Sequence, residues 1–73
     1  MTEQEIVNLI NEVEGIGGMT VNERLFVSGL MGEFDKALKN DKSKAKRILE
    51  LLGVDNASIE IIVSKTKNNE HKR

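Results

Sequence analysis

Seventy-three residues with no cysteine, no proline and one histidine make one domain at most, with neither a disulfide nor a cysteine–histidine zinc cluster to staple its small core. The net charge of −1 conceals a gradient: residues 1–40 carry seven acids and three bases (−4), and residues 41–73 carry five acids and eight bases (+3). No apolar run approaches the roughly 20 residues of a bilayer span. The acidic, polar start MTEQEIVNLI lacks the basic segment of a signal peptide, so a cytoplasmic protein without a membrane partner is expected.

Apolar residues recur at helical spacing and β-branched runs are short, which predicts an all-α chain. A first helix is expected over about Glu3–Glu14. Thr2 and Glu5 form its capping box and Ile6, Leu9, Ile10 and Val13 its apolar stripe. Gly15 to Gly18 stop it, because glycine adopts the left-handed conformation that ends helices. A long second helix is expected over about Val21–Lys39, with Thr20 and Glu23 repeating the capping box. Val27, Leu30, Met31, Phe34 and Leu38 share one face, widened by Leu25, Phe26 and Ala37, as in a central helix. Ser28, Gly29 and Gly32 would then form a smooth patch inside that helix. A neighbouring helix of the same chain is the expected occupant, and a second copy is the alternative.

Asn40 or Asp41 caps a third helix, Lys42–Leu52, whose buried face is Ala45, Ile48, Leu49 and Leu52. Gly53 stops it. Asp55 or Asn56 caps a fourth helix that runs to about Lys65, with Ile59, Ile62 and Val63 inward. The expected architecture is a small four-helix bundle: a three-helix core plus the N-terminal helix. The domain spans 1–66, with 1–18 as a candidate appendage on a glycine hinge and 67–73 as a disordered tail. Val7, Leu51 and Ile61 fall off their stripes, and such residues mark a partner surface if they converge.

The chemistry of an enzyme is missing. His71 stands alone in the tail, so Ser28, Ser43, Ser58 and Ser64 have no base on an ordered element. Glu33 and Asp35, two residues apart, point to different sides of a helix. GIGGMT lacks the Lys-Ser/Thr ending and the spacing of phosphate loops, and no calcium loop occurs. No cofactor, metal or small-molecule substrate is expected. Phe26 and Phe34, the two aromatics, fall at core-like positions, so no stacking platform for single-stranded nucleic acid remains.

Two resemblances bear on function. LELLGVDNASIEII, residues 49–62, has the Leu-Gly-Val corner with a following Ile (Leu52-Gly53-Val54 and Ile59) of the bacterial and phage helix-turn-helix; Ile48 and Ile62 fall at its flanking core positions. It departs from that pattern at Leu49, where alanine is usual, and at Glu60 and Ile61 on the would-be reading face. The resemblance implies a DNA binder with Asn56 and Ser58 on bases and Lys42, Lys44, Lys46, Arg47, Lys65 and Lys67 on phosphates. Residues 19–54 resemble a group of short bacterial proteins of unassigned role, through Asn22-Glu23-Arg24-Leu25, Ser28-Gly29-Leu30, Glu33-Phe34-Asp35, Ala37 and Ile48-Leu49. That resemblance implies a small helical protein and draws attention to Asn22, Arg24, Glu33 and Asp35. The leading expectation is a non-catalytic helical protein-interaction module, a homodimer or a docking partner, with Gly29, Gly32, Leu51 and Ile61 at its interface. A helix-turn-helix regulator is the alternative.

Overall fold

Thr2 and Thr20 each open a helix through a reciprocal capping box. Glu5 N–H donates to Thr2 Oγ1 (3.2 Å) while Thr2 N–H donates to Glu5 Oε1 (2.7 Å). Glu23 and Thr20 repeat the pair at 3.1 and 2.9 Å. The computed structural model describes residues 1–71, and side chains through Ser64. Its helices are α1 (Glu3–Asn11), α2 (Val21–Val27), α3 (Met31–Asn40), α4 (Lys42–Leu51) and α5 (Asn56–His71), with a 3₁₀ turn at Ile16–Gly18. The described residues contain no strand. The protein is thus a small all-α bundle, with five α-helices where the periodicity predicts four.

The difference lies in the predicted second helix, which is broken at Gly29. Leu25 and Gly29 build the break. Leu30 N–H reaches back to Leu25 C=O (2.9 Å), Gly29 N–H bonds Phe26 C=O (3.1 Å), and Gly29 takes φ +77°. This is the Schellman stop, which satisfies carbonyls the helix end would orphan. The same motif ends α4: Val54 N–H to Leu49 C=O (3.0 Å), Gly53 N–H to Glu50 C=O (3.0 Å), Gly53 at φ +86°. In both, the apolar residue after the glycine and the leucine four before it are buried, the contact that accompanies this motif (Leu25 with Leu30, Leu49 with Val54). Leu-x-x-x-Gly-Leu/Val therefore occurs twice, and each copy turns the chain from one helix into the next.

Breaking the helix re-aims its first half. A continuous helix would place Val27 over Leu30, Met31 and Phe34. With the turn in place Leu25 points inward instead, 2% exposed, while Val27 and Phe26 are 47% and 76% exposed. The expected core positions of Phe26 and Val27 are corrected accordingly. Gly29 and Gly32 are also not the mid-helix contact expected. Gly29 lies in the turn and Gly32 in the first turn of α3; a Cβ at either would meet nothing within 4 Å, so among the described residues no helix approaches that patch.

The core centres on α4, which packs against α1, α3 and α5. Ala45, Ile48 and Leu49 on α4 are fully buried. Phe34, Ala37 and Leu38 of α3 face them, with Ile59 and Val63 of α5. Ile6 of α1 is 3% exposed, so the N-terminal helix packs within its own chain in this structure. Asp41 alone joins α3 to α4: its N–H closes α3 on Ala37 C=O (2.7 Å), and its carboxylate accepts from Lys44 N–H (3.3 Å) to cap α4. Asp55 caps α5, accepting from Ser58 N–H (3.0 Å) and Ser58 Oγ (2.8 Å). The backbone of α5 continues to His71, through part of the segment expected as a tail; Lys72, Arg73 and the side chains from Lys65 on lie outside the described residues.

Candidate functional site

Arg24 is the most connected polar side chain of the four that the second resemblance singles out. Half-buried, it donates from Nε to Met19 C=O (3.0 Å), from Nη2 to Gly17 C=O (3.2 Å) and from Nη1 to Leu52 C=O (3.0 Å). Three backbone oxygens from two segments converge on one planar cation, a fork that lysine cannot reproduce. The guanidinium also lies at the C-terminus of α4, where a positive charge is favoured by the helix dipole. Arg24 therefore clamps the glycine-rich loop to the α4 corner. Glu33 is committed as well: Lys44 Nζ lies 2.8 Å from its Oε2, and this hydrogen bond outweighs burial and holds the carboxyl below its usual range. Asn22 and Asp35 are exposed.

Four of the cations expected on DNA phosphates, those of α4, are engaged with the protein itself. Lys42 Nζ donates to Leu38 C=O (3.0 Å). Lys44 bridges Glu33 and the Met1 carbonyl, 3.2 Å away. Lys46 pairs with Glu60 across the α4–α5 corner at 3.3 Å. Arg47 holds Glu3 through two bonds (3.1 and 3.0 Å) and Glu50 through a third (3.0 Å). That hydrogen bonding raises the Arg47 pKa and lowers that of Glu3. On the would-be reading helix, Ser58 is tied to Asp55, whose carboxyl the Ser58 backbone N–H, followed by its hydroxyl, holds below the usual range. Asn56 is exposed, between Asp55 and the exposed Glu60. The α4–Gly53–α5 corner has the expected shape, and its surface alternates paired cations with acids. Lys65 and Lys67 fall outside the described side chains.

Of the residues expected at a partner interface, Gly29 and Gly32 are exposed, Ile61 is 60% exposed, and Leu51 is half-buried and packs against the core. Val7 is half-buried. They occupy two separate helix pairs, the glycines on the α2–α3 corner and Leu51 with Ile61 on α4 and α5. The surface residues that sequence periodicity misses are Phe26 and Val27. The signal in the sequence is the Leu25-to-Leu30 stop, which has the same Leu-x-x-x-Gly-Leu/Val pattern as the stop at Gly53.

A cleft of about 440 Å³ between α1 and the start of α4 is lined by Ile6, Asp41, Ser43, Lys44, Arg47 and Ile48 among others, and its two cations are the ones already paired with Glu33 and Glu3. Among the described residues, no three His, Cys, Asp or Glu side chains converge as a metal site would require, and no helix is long and apolar enough to cross a membrane. Comparison with family models, with curated proteins and with solved structures returned no match.

Proposed function

We propose that this chain is a small non-catalytic protein-interaction module that docks a partner protein through the outer face of α2. The observation that carries this reading is Phe26, 76% exposed beside Val27 at 47%. Scattered apolar residues are normal on a surface. Phe26 is different because the helix it stands on already packs through Leu25, so the ring contributes nothing to the core. Covering a phenylalanine side chain recovers about 1.5–3 kcal/mol, and aromatic anchors are what protein interfaces concentrate. The test is selection of random displayed peptides on the immobilised protein, with Phe26→Ser as the comparison. Enriched peptides should bind the native chain and lose about tenfold or more in affinity on the variant, roughly 1.4 kcal/mol. Peptides that bind both alike, or no enrichment, would sink it.

A second reading is supported by the α4–Gly53–α5 corner: a helix-turn-helix regulator with α5 in the major groove. It requires Lys46 and Arg47 to exchange Glu60, Glu3 and Glu50 for phosphates. It predicts salt-dependent anisotropy with a labelled random duplex, weakened on all sequences by Lys46→Glu and Arg47→Glu. Absence of binding at low salt removes it.

A further inference from the structure

Phe26 and Val27 share their helix face with Glu23, three and four residues before them, a spacing that places side chains next to one another. Glu23 accepts the Thr20 N–H yet remains exposed. No cation on α2 answers it. The one basic residue there, Arg24, spends its guanidinium on the carbonyls of Gly17, Met19 and Leu52. The wider charge agrees: residues 1–35 hold seven acidic side chains and a single basic one, that same Arg24. The apolar pair thus lies within the acidic stretch of the sequence, and Glu23 is the acid that α2 sets beside it.

This charge discriminates between occupants. A second copy docked face to face on α2 would bring Glu23 against its own likeness, and like charges across an interface disfavour the pairing. A basic partner has the opposite balance. Its apolar side chains cover Phe26 and Val27, its Lys or Arg side chains reach Glu23, and the open face of the Phe26 ring offers a cation–π contact as well.

Taking α2 as the docking face proposed above, we infer that its occupant is a cationic amphipathic segment of a partner protein. The probes are two labelled designed helical peptides. One carries leucines on one face and Lys and Arg on the other; its twin has every Lys and Arg replaced by Glu. Anisotropy is measured against the full chain, Phe26→Ser and Glu23→Gln, at low and at physiological salt. Glutamine keeps the capping box, so Glu23→Gln removes charge without removing the helix start. The cationic peptide should bind about tenfold or more tighter than its twin, lose about tenfold on Phe26→Ser, and lose about threefold with a flatter salt dependence on Glu23→Gln. Equal binding of the twins overturns the charge assignment and leaves the docking face standing. Cationic binding indifferent to Phe26→Ser overturns both. If neither peptide binds, the cationic occupant is overturned. Sedimentation then separates a self-association abolished by Phe26→Ser, which keeps the face and makes a second copy its occupant, from a strict monomer, which removes the face too.

Discussion

At residue scale, two side chains two positions apart carry opposite consequences. Phe26 is a surface ring, so Phe26→Ser should move stability by no more than about 0.5 kcal/mol in urea unfolding. Phe34, 5% exposed in the core, is the control: Phe34→Ala should cost about 3–5 kcal/mol, enough to unfold a chain this small. A large loss at Phe26 would show that its ring has packing partners in solution. Arg24 is the reverse of Phe26, a charged residue that the fold needs. Arg24→Met deletes three bonds to carbonyls and should cost about 2–3 kcal/mol. Arg24→Lys should recover little, since an ammonium cannot span three acceptors. Full recovery by lysine would mean that charge near α4, and not the fork, is what matters.

At the scale of elements, Gly29 and Gly32 are three residues apart and should respond with opposite signs. Gly29 holds φ +77°, so Gly29→Ala is expected to cost about 1–2 kcal/mol. Gly32 lies in α3 with open space where a Cβ would go, so Gly32→Ala should add about 0.5–1 kcal/mol. Thermal melts of the two variants decide it: two shifts of the same sign would mean α2 and α3 are one helix after all. The pair also shows how far the sequence was legible. Caps at Thr2 and Thr20 and the stop at Gly53 are readable because each is a local pattern of a few residues; the caps at Asp41 and Asp55 are readable to within one residue, since Asn40 and Asn56 fit the same pattern. The burial of Ala45, Ile48, Leu49, Ile59 and Val63 followed from period alone. The stop at Gly29 is invisible to periodicity because apolar residues on both sides keep the period of a continuous helix, and on that period Phe26 and Val27 fall inside. The pairs of Lys44 with Glu33, Lys46 with Glu60 and Arg47 with Glu3 are illegible for another reason: these acids come from α3, α5 and α1, positions that only the packed chain brings near.

At the scale of the whole molecule, two of those pairs join the acidic half to the basic half. Arg47 on Glu3 ties α1 to α4, and Lys44 on Glu33 ties α3 to α4. Both carboxyls titrate below their ordinary value of 4.5 in the folded chain. The folded state therefore binds fewer protons than the unfolded one in that range. The stabilisation is fully present above about pH 4.5 and is lost as pH falls through the depressed values. Unfolding midpoints should hold steady from neutral pH to about 5 and fall below that. Glu33→Gln should flatten the fall more than Glu3→Gln, because the Glu33 side chain is 17% exposed against 56% for Glu3, whose pairing solvent screens. Equal profiles for the two variants would count against Glu33 as the stronger tie.

The Arg24 clamp has a kinetic side. Its acceptors lie five and seven residues before it and, in Leu52, twenty-eight after it. The helix pairs α3–α4 and α4–α5 are neighbours in sequence and can form early, whereas the arginine finds Leu52 only when the α4 corner has folded back onto the glycine loop. The bond to Leu52 is therefore expected to form after the transition state. Loss of that one bond should leave the refolding rate nearly unchanged and speed unfolding by about tenfold or more for a loss of about 1.5 kcal/mol. Arg24 would then act as a latch, setting how long the folded chain lasts once made and not how quickly it is made.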